Sequence, residues 1–248
     1  MYRVDLNADL GEGAGNDAAI LDFVTSANIA CGGHAGDRTL MARTIELAKQ
    51  KGVAIGAHPG FADREGFGRR MLQVSPEEVH DLVEEQVRSL LKLAGASSVP
   101  VQHVKPHGAL YNAAVTDAAL ADAIANGVAA VDPSLILFGL ANSELIAAGR
   151  RAGLQTAAEG FADRTYAPDG TLTPRSESNA LIDDPAAAVA QAVRMVTEGK
   201  VRSLRGDDVD VRTETICLHG DSPHAVSMAQ EIRDGLKAAG IKVGAPPA

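Results

Sequence analysis

The sequence predicts an α/β fold, a (β/α) barrel with about seven parallel strands. Three observations predict it. Short aliphatic or β-branched runs alternate with longer helical patterns along the whole chain. The length of 248 residues is typical of a single α/β barrel, so we expect one domain over residues 1–248. Polar side chains gather where the strands end, as they do around the mouth of a closed barrel.

Seven short segments have the character of strands. They are rich in Val, Ile, Leu and Ala, and most of them end at residues that favour turns. The expected strands are Val4–Leu6, Asn28–Ala30, Val53–Ala57, Val101–Val104, Leu135–Gly139, Gln155–Ala158 and Ile216–His219.

Seven helical patterns alternate with these strands, which requires a parallel sheet covered by helices. The third pattern is the clearest, because Ser75 can cap it, Pro76 suits its first position and Glu78 completes a capping box. The expected helices are Asp17–Ser26, Asp37–Lys51, Pro76–Ala94, Asp117–Val131, Ser143–Ala152, Pro185–Glu198 and Pro223–Ala239.

The alternation of residue types along the strands favours a closed barrel over an open sheet. Successive side chains of a strand point to opposite faces. One face is small or polar and ends in an ionisable group, in the pairs Asp5 and Asn7, Gly56 and His58, His103 and Lys105, and Cys217 and His219. The other face is aliphatic and suits a layer facing helices, with Val4, Leu6, Val53, Ile55, Val104 and Leu218.

Composition and charge exclude several classes of partner. The formal net charge of −9 disfavours a nucleic-acid partner. The sequence has no run of 18 apolar residues and no charged-then-apolar leader, so we expect a cytoplasmic protein without a membrane partner. Two cysteines are too few for a disulfide framework. Two stretches without a regular pattern, about 160–183 and 200–214, are expected to be loops that cover the site or bind a partner.

Sequence motifs for nucleotide binding and for common nucleophiles are missing. The glycines from Gly11 to Gly15 resemble a dinucleotide loop, but the last required position is Asn16, and Glu12 would repel phosphate. The sequence has no phosphate-binding Gly-Lys-Ser/Thr loop, no Gly-x-Ser-x-Gly elbow and no zinc-type cysteine spacing. Cys31 beside His34 can be read as a nucleophile pair, although a small buried cysteine is the commoner role.

Ionisable residues at the strand ends point to a hydrolytic or lyase-like site. Asp9 and Glu12 follow the first strand, where carboxylates can bind a metal or take a proton; a solvated turn capped by Asp9 is the plainer alternative. His103, Lys105 and His107 share one face if the fourth strand continues, which a surface role does not explain. These residues do not by themselves name a substrate.

Six motifs in order resemble the LamB/YcsF family over about residues 3–245, namely Asp5–Gly13, Asn28–Asp37, Gly56–Arg70, His103–Asn112, Glu159–Tyr166 and Cys217–Asp221. The resemblance implies a distorted TIM-like barrel of the deacetylase and glycoside hydrolase type. It also implies the A subunit of a prokaryotic ATP-dependent 5-oxoprolinase, which works with the B and C subunits. That complex converts 5-oxoproline, ATP (as Mg-ATP) and water to L-glutamate, ADP and phosphate. A homo-oligomer and a bound metal are left open.

The resemblance also suggests roles for individual residues: a carboxylate or histidine as base, a lysine or histidine against negative charge, and an arginine on the substrate carboxylate. The expected catalytic residues are Asp9, His58, Lys105, His107, Glu159 and His219. The expected substrate-binding residues are Asn7, Glu12, His34, Arg64, Arg70, Asp163, Arg164, Arg175 and Asp221. Two alternatives remain: a non-catalytic stabilising subunit, and a metal-dependent, deacetylase-like hydrolase with ligands Asp9, His34, His58 and His107.

Overall fold

The computed structural model describes residues 2–218 and 224–247. The site candidates His219 and Asp221, and Pro223 at the start of the last expected helix, lie outside these residues. The strands are β1 Arg3–Leu10, β2 Ser26–Ala30, β3 Ala54–His58, β4 Val101–Val104, β5 Ile136–Leu140, β6 Gln155–Phe161, β7 Lys200–Arg202, β8 Asp208–Asp210, β9 Thr215–Leu218 and β10 Lys242–Val243. The helices are α1 Asp17–Ile20, α2 Arg38–Lys51, α3 Pro76–Ala96, α4 Gly108–Ala113, α5 Ala118–Val131, α6 Glu144–Arg151, α7 Pro185–Thr197 and α8 Ala225–Ala238.

Seven parallel strands close into a barrel, as the sequence predicts. Neighbouring strands pair in the order β1-β2-β3-β4-β5-β6-β9, and β9 pairs back onto β1, with Asn7 opposite Cys217. The short strand β10 pairs with the first two residues of β1, where Arg3 lies opposite Lys242. Because all seven barrel strands run the same way, their carboxyl ends meet around one mouth.

The two faces of the strands differ as their sequence alternation predicts. The aliphatic residues of the outward face belong to the main apolar core between the sheet and the helices. They are Val4, Leu6, Val53, Ile55, Val104 and Leu218. The inward face buries polar side chains such as Asp5, Asn7 and His103. Gly56 leaves room for one of them, because a Cβ there would lie 2.1 Å from Cδ2 of His103.

The capping prediction for the third helix is confirmed. Ser75 accepts a hydrogen bond from the Glu78 amide, and the Glu78 carboxylate accepts one from the Ser75 amide. Pro76 occupies the first turn, as expected. No helix within residues 2–218 and 224–247 is long and apolar enough to cross a bilayer.

Two expectations about secondary structure are wrong. The first helix ends at Ile20 rather than Ser26, because Ser26 already belongs to β2 and its hydroxyl donates to Asp5 inside the barrel. The stretch 200–214 is not only a loop, since β7 and β8 form an antiparallel ribbon in which Val201 lies opposite Val209. Three-residue strands carry too little alternation to be recognised in a sequence.

Candidate active site

A cavity of about 540 Å³ opens at the carboxyl ends of the barrel strands. Its lining combines strand-end residues, residues of α4 and the segment 171–176 from the long stretch after β6. That stretch therefore covers the site, as expected for a loop in this position. The ionisable residues that line the cavity are Asp9, Glu12, His58, Arg69, Lys105, His107, Tyr111, Arg164 and Arg175.

The first group in the cavity wall, here called the lysine cluster, consists of Asn7, Asp9, Lys105, Tyr111, Glu159 and Cys217. Its centre is the ammonium group of Lys105, a residue that is only 2% exposed. Nζ lies 3.0 Å from Oδ1 of Asp9 and 3.0 Å from Oε1 of Glu159. It also donates to Oδ1 of Asn7 and to Sγ of Cys217. Lys105 is thus a buried, paired cation and not a surface side chain.

Opposite charges hold the lysine cluster in fixed protonation states. Burial opposes the Lys105 charge, but the Asp9 carboxylate and the groups of Cys217 and Glu159 outweigh it and raise the lysine pKa well above its usual value. Tyr111 donates to Oε2 of Glu159 at 2.7 Å, and burial followed by this carboxylate raises the Tyr111 pKa. Burial also raises the Cys217 pKa, although the nearby ammonium opposes the shift. The cluster therefore presents an ammonium ion, a phenol and a thiol at neutral pH.

The second group, here called the histidine cluster, consists of Glu12, His34, His58 and His107. Nε2 of His58 lies 2.9 Å from Nδ1 of His107, and Nε2 of His34 lies 3.0 Å from Oε1 of Glu12. The rings of His34 and His107 stack with their centroids 3.6 Å apart, whereas the rings of His58 and His107 are nearly perpendicular. All three histidines are buried.

Positive charge in the histidine cluster concentrates on one ring. Burial opposes charge on His58, but the carboxylates of Asp9 and Glu12 raise its pKa. Burial, followed by the charge on His58, lowers the pKa of His34 to about 3 and that of His107 to about 2. The stacked pair is therefore neutral at physiological pH.

Polar residues below the cavity fix the orientation of the site. Asn28 donates to Oδ1 of Asn7 and to Oδ1 of Asp9, so its own oxygen faces Nε2 of His103 at 2.8 Å. That oxygen can only accept, so His103 carries its proton on Nε2. Burial, followed by the charge on Lys105, lowers the His103 pKa to about 3. His103 thus supports the site from the barrel interior as a neutral ring.

Two of the expected substrate-binding arginines do not line the cavity. Arg64 donates to the carbonyl oxygens of Gly32 and Gly36, which ties the loop after β2 to the segment after β3. Arg70 pairs with the buried carboxylate of Asp63, and its own side chain is 59% exposed.

Three other arginines lie at the cavity. Arg164 lines it, but its guanidinium donates to the carbonyl oxygens of Thr173 and Ala180 and so holds the covering loop in place. Arg175 lines it and is exposed. Arg69, which we did not predict, also lines it, with its guanidinium 5.0 Å from the centroid of the Phe67 ring.

Most of the expected site residues converge. Eight of the expected site residues lie at or just after strand ends, and we expect them around one cavity: Asn7, Asp9, His34, His58, Lys105, His107, Glu159 and His219. Four of them line it, namely Asp9, His58, Lys105 and His107. Asn7 and Glu159 contact Lys105 from behind, and His34 stacks on His107. His219 lies outside the described residues. Asp163 follows β6, and its backbone oxygen accepts a hydrogen bond from the Ile182 amide.

Two further residues of the site were missed, and Cys31 has the plainer of its two expected roles. Tyr111 lies one helical turn after His107 on α4, and that four-residue spacing is the signal that could have identified it. Cys217 appears in the strand alternation but not among the expected site residues. Cys31 is buried, donates to the Ile29 carbonyl oxygen, and has a pKa raised to about 12 by burial, so it is a neutral thiol.

Comparison with known proteins shows the family. The sequence profile of the LamB/YcsF family matches residues 4–248. The chain belongs to the LamB/YcsF family. Among its relatives, a protein of Bacillus subtilis (strain 168) named as the A subunit of 5-oxoprolinase is 57% identical over 250 residues, covering 99% of this LamB/YcsF chain and 97% of that protein.

Solved structures agree with the fold. The crystal structure of the lactam utilization protein from Thermus thermophilus matches with a TM-score of 0.92 at 46% identity, covering 98% of this LamB/YcsF chain and 100% of that chain. The catalytic domain of the peptidoglycan N-acetylglucosamine deacetylase from Eubacterium rectale ATCC 33656 matches with a TM-score of 0.53 at 10% identity. This match covers 100% of the present chain and 89% of the deacetylase chain. The second match shows a shared barrel fold and nothing about chemistry.

Proposed function

We propose that this chain is the A subunit of an ATP-dependent 5-oxoprolinase and that it opens the lactam ring of 5-oxoproline to give L-glutamate. The observation that carries the proposal is the buried Lys105 ammonium, held between the carboxylates of Asp9 and Glu159 at the wall of a cavity. A full-length relative at 57% identity is named as this subunit, which supports the same assignment.

The chemistry of the lactam explains why its hydrolysis needs ATP. A five-membered lactam is stabilised by amide resonance and resists attack by water at neutral pH. Transfer of the γ-phosphoryl group of ATP to the lactam oxygen makes the ring carbon electrophilic. One water adds to that carbon, the C–N bond breaks, and the nitrogen takes up a proton as the amine. A second water cleaves the resulting acyl phosphate, which gives L-glutamate and phosphate.

The lysine cluster suits the ring-opening step. An ammonium already fixed by protein carboxylates needs no rearrangement when negative charge develops on the substrate. Asp9 lines the cavity and is a candidate base for the attacking water. Arg175, exposed on the covering loop, is our candidate for binding the substrate carboxylate, and Arg69 is a second cation at the cavity.

We assign the use of ATP chiefly to the B and C partner subunits. The sequence contains no phosphate-binding Gly-Lys-Ser/Thr loop, and its net charge of −9 does not favour a polyphosphate. ATP, used as Mg-ATP, is then the cofactor of the complex and not of this barrel alone. Because ATP is supplied in the cytoplasm, we propose that the reaction takes place there.

The test is an assay of ADP and glutamate with purified proteins. We expect the chain alone to show negligible 5-oxoproline-dependent ATP hydrolysis, and the mixture with the B and C subunits to form ADP and glutamate in equal amounts. Robust 5-oxoproline-dependent ATP hydrolysis by the chain alone would contradict the division of labour. Full glutamate formation by B and C without the chain would contradict its catalytic role and favour a stabilising one.

A further inference from the structure

We propose that the histidine cluster is a binding site for a divalent transition-metal ion of the zinc class, with Nε2 of His58, Nδ1 of His107, Oε1 of Glu12 and Oδ2 of Asp9 as ligands. This inference goes beyond the proposed 5-oxoprolinase function and does not depend on it. It rests on the placement of protons, on the geometry of the rings and on the separations between the ligand atoms.

Hydrogen bonds to backbone oxygens fix the protons of two histidines. Nδ1 of His58 lies 2.7 Å from the carbonyl oxygen of Lys105, and Nε2 of His107 lies 2.9 Å from that of Phe67. A carbonyl oxygen only accepts, so each of these nitrogens carries a hydrogen. In neutral rings the two remaining nitrogens are then both acceptors, yet they face each other at 2.9 Å. Either a proton on Nε2 of His58 or a metal ion must therefore lie between the two nitrogens.

This arrangement is the usual environment of histidines that bind metal ions. Such a histidine donates its outer N–H to a carbonyl or carboxylate, which fixes the ring and presents the other nitrogen to the ion. Phe67 adopts a left-handed backbone conformation, with φ of 53°, that is unfavourable for a bulky residue. Its carbonyl oxygen is the one that orients His107.

The separations between the proposed ligand atoms fit one small ion. Nε2 of His58 lies 3.3 Å from Oδ2 of Asp9 and 3.9 Å from Oε1 of Glu12, and Nδ1 of His107 lies 3.4 Å from Oε1 of Glu12. Metal–ligand bonds of about 2.0–2.2 Å in a tetrahedral or octahedral shell separate neighbouring ligand atoms by about 3.0–3.5 Å. The values of 3.3 and 3.4 Å lie in that range, the 2.9 Å between the two ring nitrogens lies just below it, and the 3.9 Å between His58 and Glu12 exceeds it, so Glu12 has to move slightly toward His58 when the ion binds.

The ring orientations decide which histidines bind the ion. An imidazole binds a metal through a lone pair in the plane of its ring. The planes of His58 and His107 meet at 85°, so an ion can lie in both planes at once. The planes of His34 and His107 are parallel, with centroids 3.6 Å apart, so an ion in the plane of His107 lies far outside that of His34.

His34 is therefore a positioning residue and not a ligand, although one ligand atom from each member of the cluster lies within 4.8 Å of the others. Its Nε2 donates to Oε1 of Glu12. Its Nδ1 has no hydrogen-bond partner among residues 2–218 and 224–247, which suits the bare nitrogen of that tautomer. Gly60 and Gly68 pack tightly around the ring, because a Cβ at either position would lie within 2.7 Å of His34 atoms.

Two imidazole nitrogens with carboxylate oxygens favour zinc or a neighbouring first-row ion over calcium or magnesium, which prefer oxygen ligands alone. Such an ion would lie beside the lysine cluster. Asp9 faces His58 with Oδ2 and Lys105 with Oδ1, and the Lys105 carbonyl oxygen orients His58.

The test is a titration of the metal-stripped full-length chain with Zn²⁺. Calorimetry measures the affinity and the number of ions bound, and thermal unfolding measures the change in Tm. We expect one ion per chain and a rise in Tm on binding. His107→Ala should weaken binding by more than about 100-fold, whereas His34→Gln should weaken it by about 10- to 100-fold, as typical for a residue that orients a ligand. The matched control is His80→Ala, which removes the histidine of a partly exposed group with Asp81 and Glu84 and should leave Zn²⁺ affinity unchanged.

Each other outcome overturns part of the proposal. Absence of saturable Zn²⁺ binding by the folded wild-type chain would show that the two ring nitrogens share a proton instead of an ion. Equal losses in His34→Gln and His107→Ala would make His34 a ligand. Loss of binding in His80→Ala would place the ion on α3 and away from the cavity. Because binding is measured without substrate, these results are independent of the 5-oxoprolinase assay.

Discussion

The lysine cluster and the histidine cluster lie side by side in one cavity, yet their protons are arranged in opposite ways. In the lysine cluster the Lys105 ammonium faces the carboxylates of Asp9 and Glu159, so donors meet acceptors. In the histidine cluster the inner nitrogens of His58 and His107 face each other at 2.9 Å, a separation that requires either a proton or a metal ion between them. The first cluster is balanced by charges of the protein itself, whereas the second takes up a cation, which is a proton on His58 or, as we propose, a metal ion.

The difference follows from where the residues come from. Asp9, Glu159 and Cys217 belong to barrel strands, and Lys105 follows β4 directly, so the ladder of the barrel fixes their positions. Glu12, His34 and His107 lie in the connections after the strands, while His58 is the last residue of β3. Side chains on connections can adjust to an ion bound by His58, whereas a group on strands is preorganised for charge.

The largest effect is expected at the centre of the lysine cluster. Lys105→Met removes the ammonium, and we expect glutamate formation by the three-subunit complex to fall by about 100- to 1000-fold. Because the substitution leaves the buried Glu159 carboxylate and the partly buried Asp9 carboxylate without their cation, the free energy of unfolding should also fall by about 3–5 kcal/mol. Turnover and thermal unfolding check both numbers. Lys92→Met, at an exposed position, is the control.

A rate for Lys105→Met close to that of Lys92→Met would contradict a catalytic lysine cluster. Loss of activity together with loss of the folded state would be resolved by Lys105→Arg, which keeps the charge. We expect that variant to fold and to recover only part of the rate, because a planar guanidinium does not place a point charge between Asp9 and Glu159.

A smaller effect is expected at the rim of the cavity. Arg175→Ala should raise the KM for 5-oxoproline by about 10- to 100-fold, the size of a lost hydrogen bond between charged groups, and change kcat little. Steady-state kinetics of the complex measure the two constants separately. Arg70→Ala removes an arginine that pairs with Asp63 instead of lining the cavity, so its KM should match that of the wild type. A KM shift only in Arg70→Ala would reverse the placement of the substrate carboxylate.

The smallest effect is expected at the edge of the lysine cluster. Tyr111→Phe removes one hydrogen bond to the buried Glu159 carboxylate, so the free energy of unfolding should fall by about 1–3 kcal/mol. Denaturant unfolding checks this value. Tyr2→Phe is the control, since the Tyr2 hydroxyl donates to the Thr197 carbonyl oxygen on the exposed surface. Similar losses in both variants would mean that burial of Glu159 has no part in the stability of the cluster.

The sequence predicts the barrel because the alternation of residue types in strands is local information. Val4 and Leu6 face the helices while Asp5 and Asn7 face inward, and a few consecutive residues suffice to show it. The same alternation places Lys105 inside. The ribbon of β7 and β8 was missed because its pairing joins segments too short to show a pattern.

The direction of individual side chains was not predictable from spacing. Arg69 and Arg70 are neighbours in the chain, yet only Arg69 lines the cavity, while Arg70 pairs with Asp63. The sequence suggested His34 as a metal ligand, and only the stacking of its ring on His107 argues against that role. Both results depend on tertiary packing, which no single stretch of sequence contains.

A crystal structure of the chain with Zn²⁺ and 5-oxoproline, recorded with anomalous data at the zinc absorption edge, tests both clusters at once. We expect an anomalous peak at about 2.0–2.2 Å from Nε2 of His58 and Nδ1 of His107, and the lactam ring in the same cavity beside Lys105. A peak bound by His34 would contradict the assignment of ligands. A lactam ring bound away from Lys105 would contradict the proposal that the lysine cluster opens the ring.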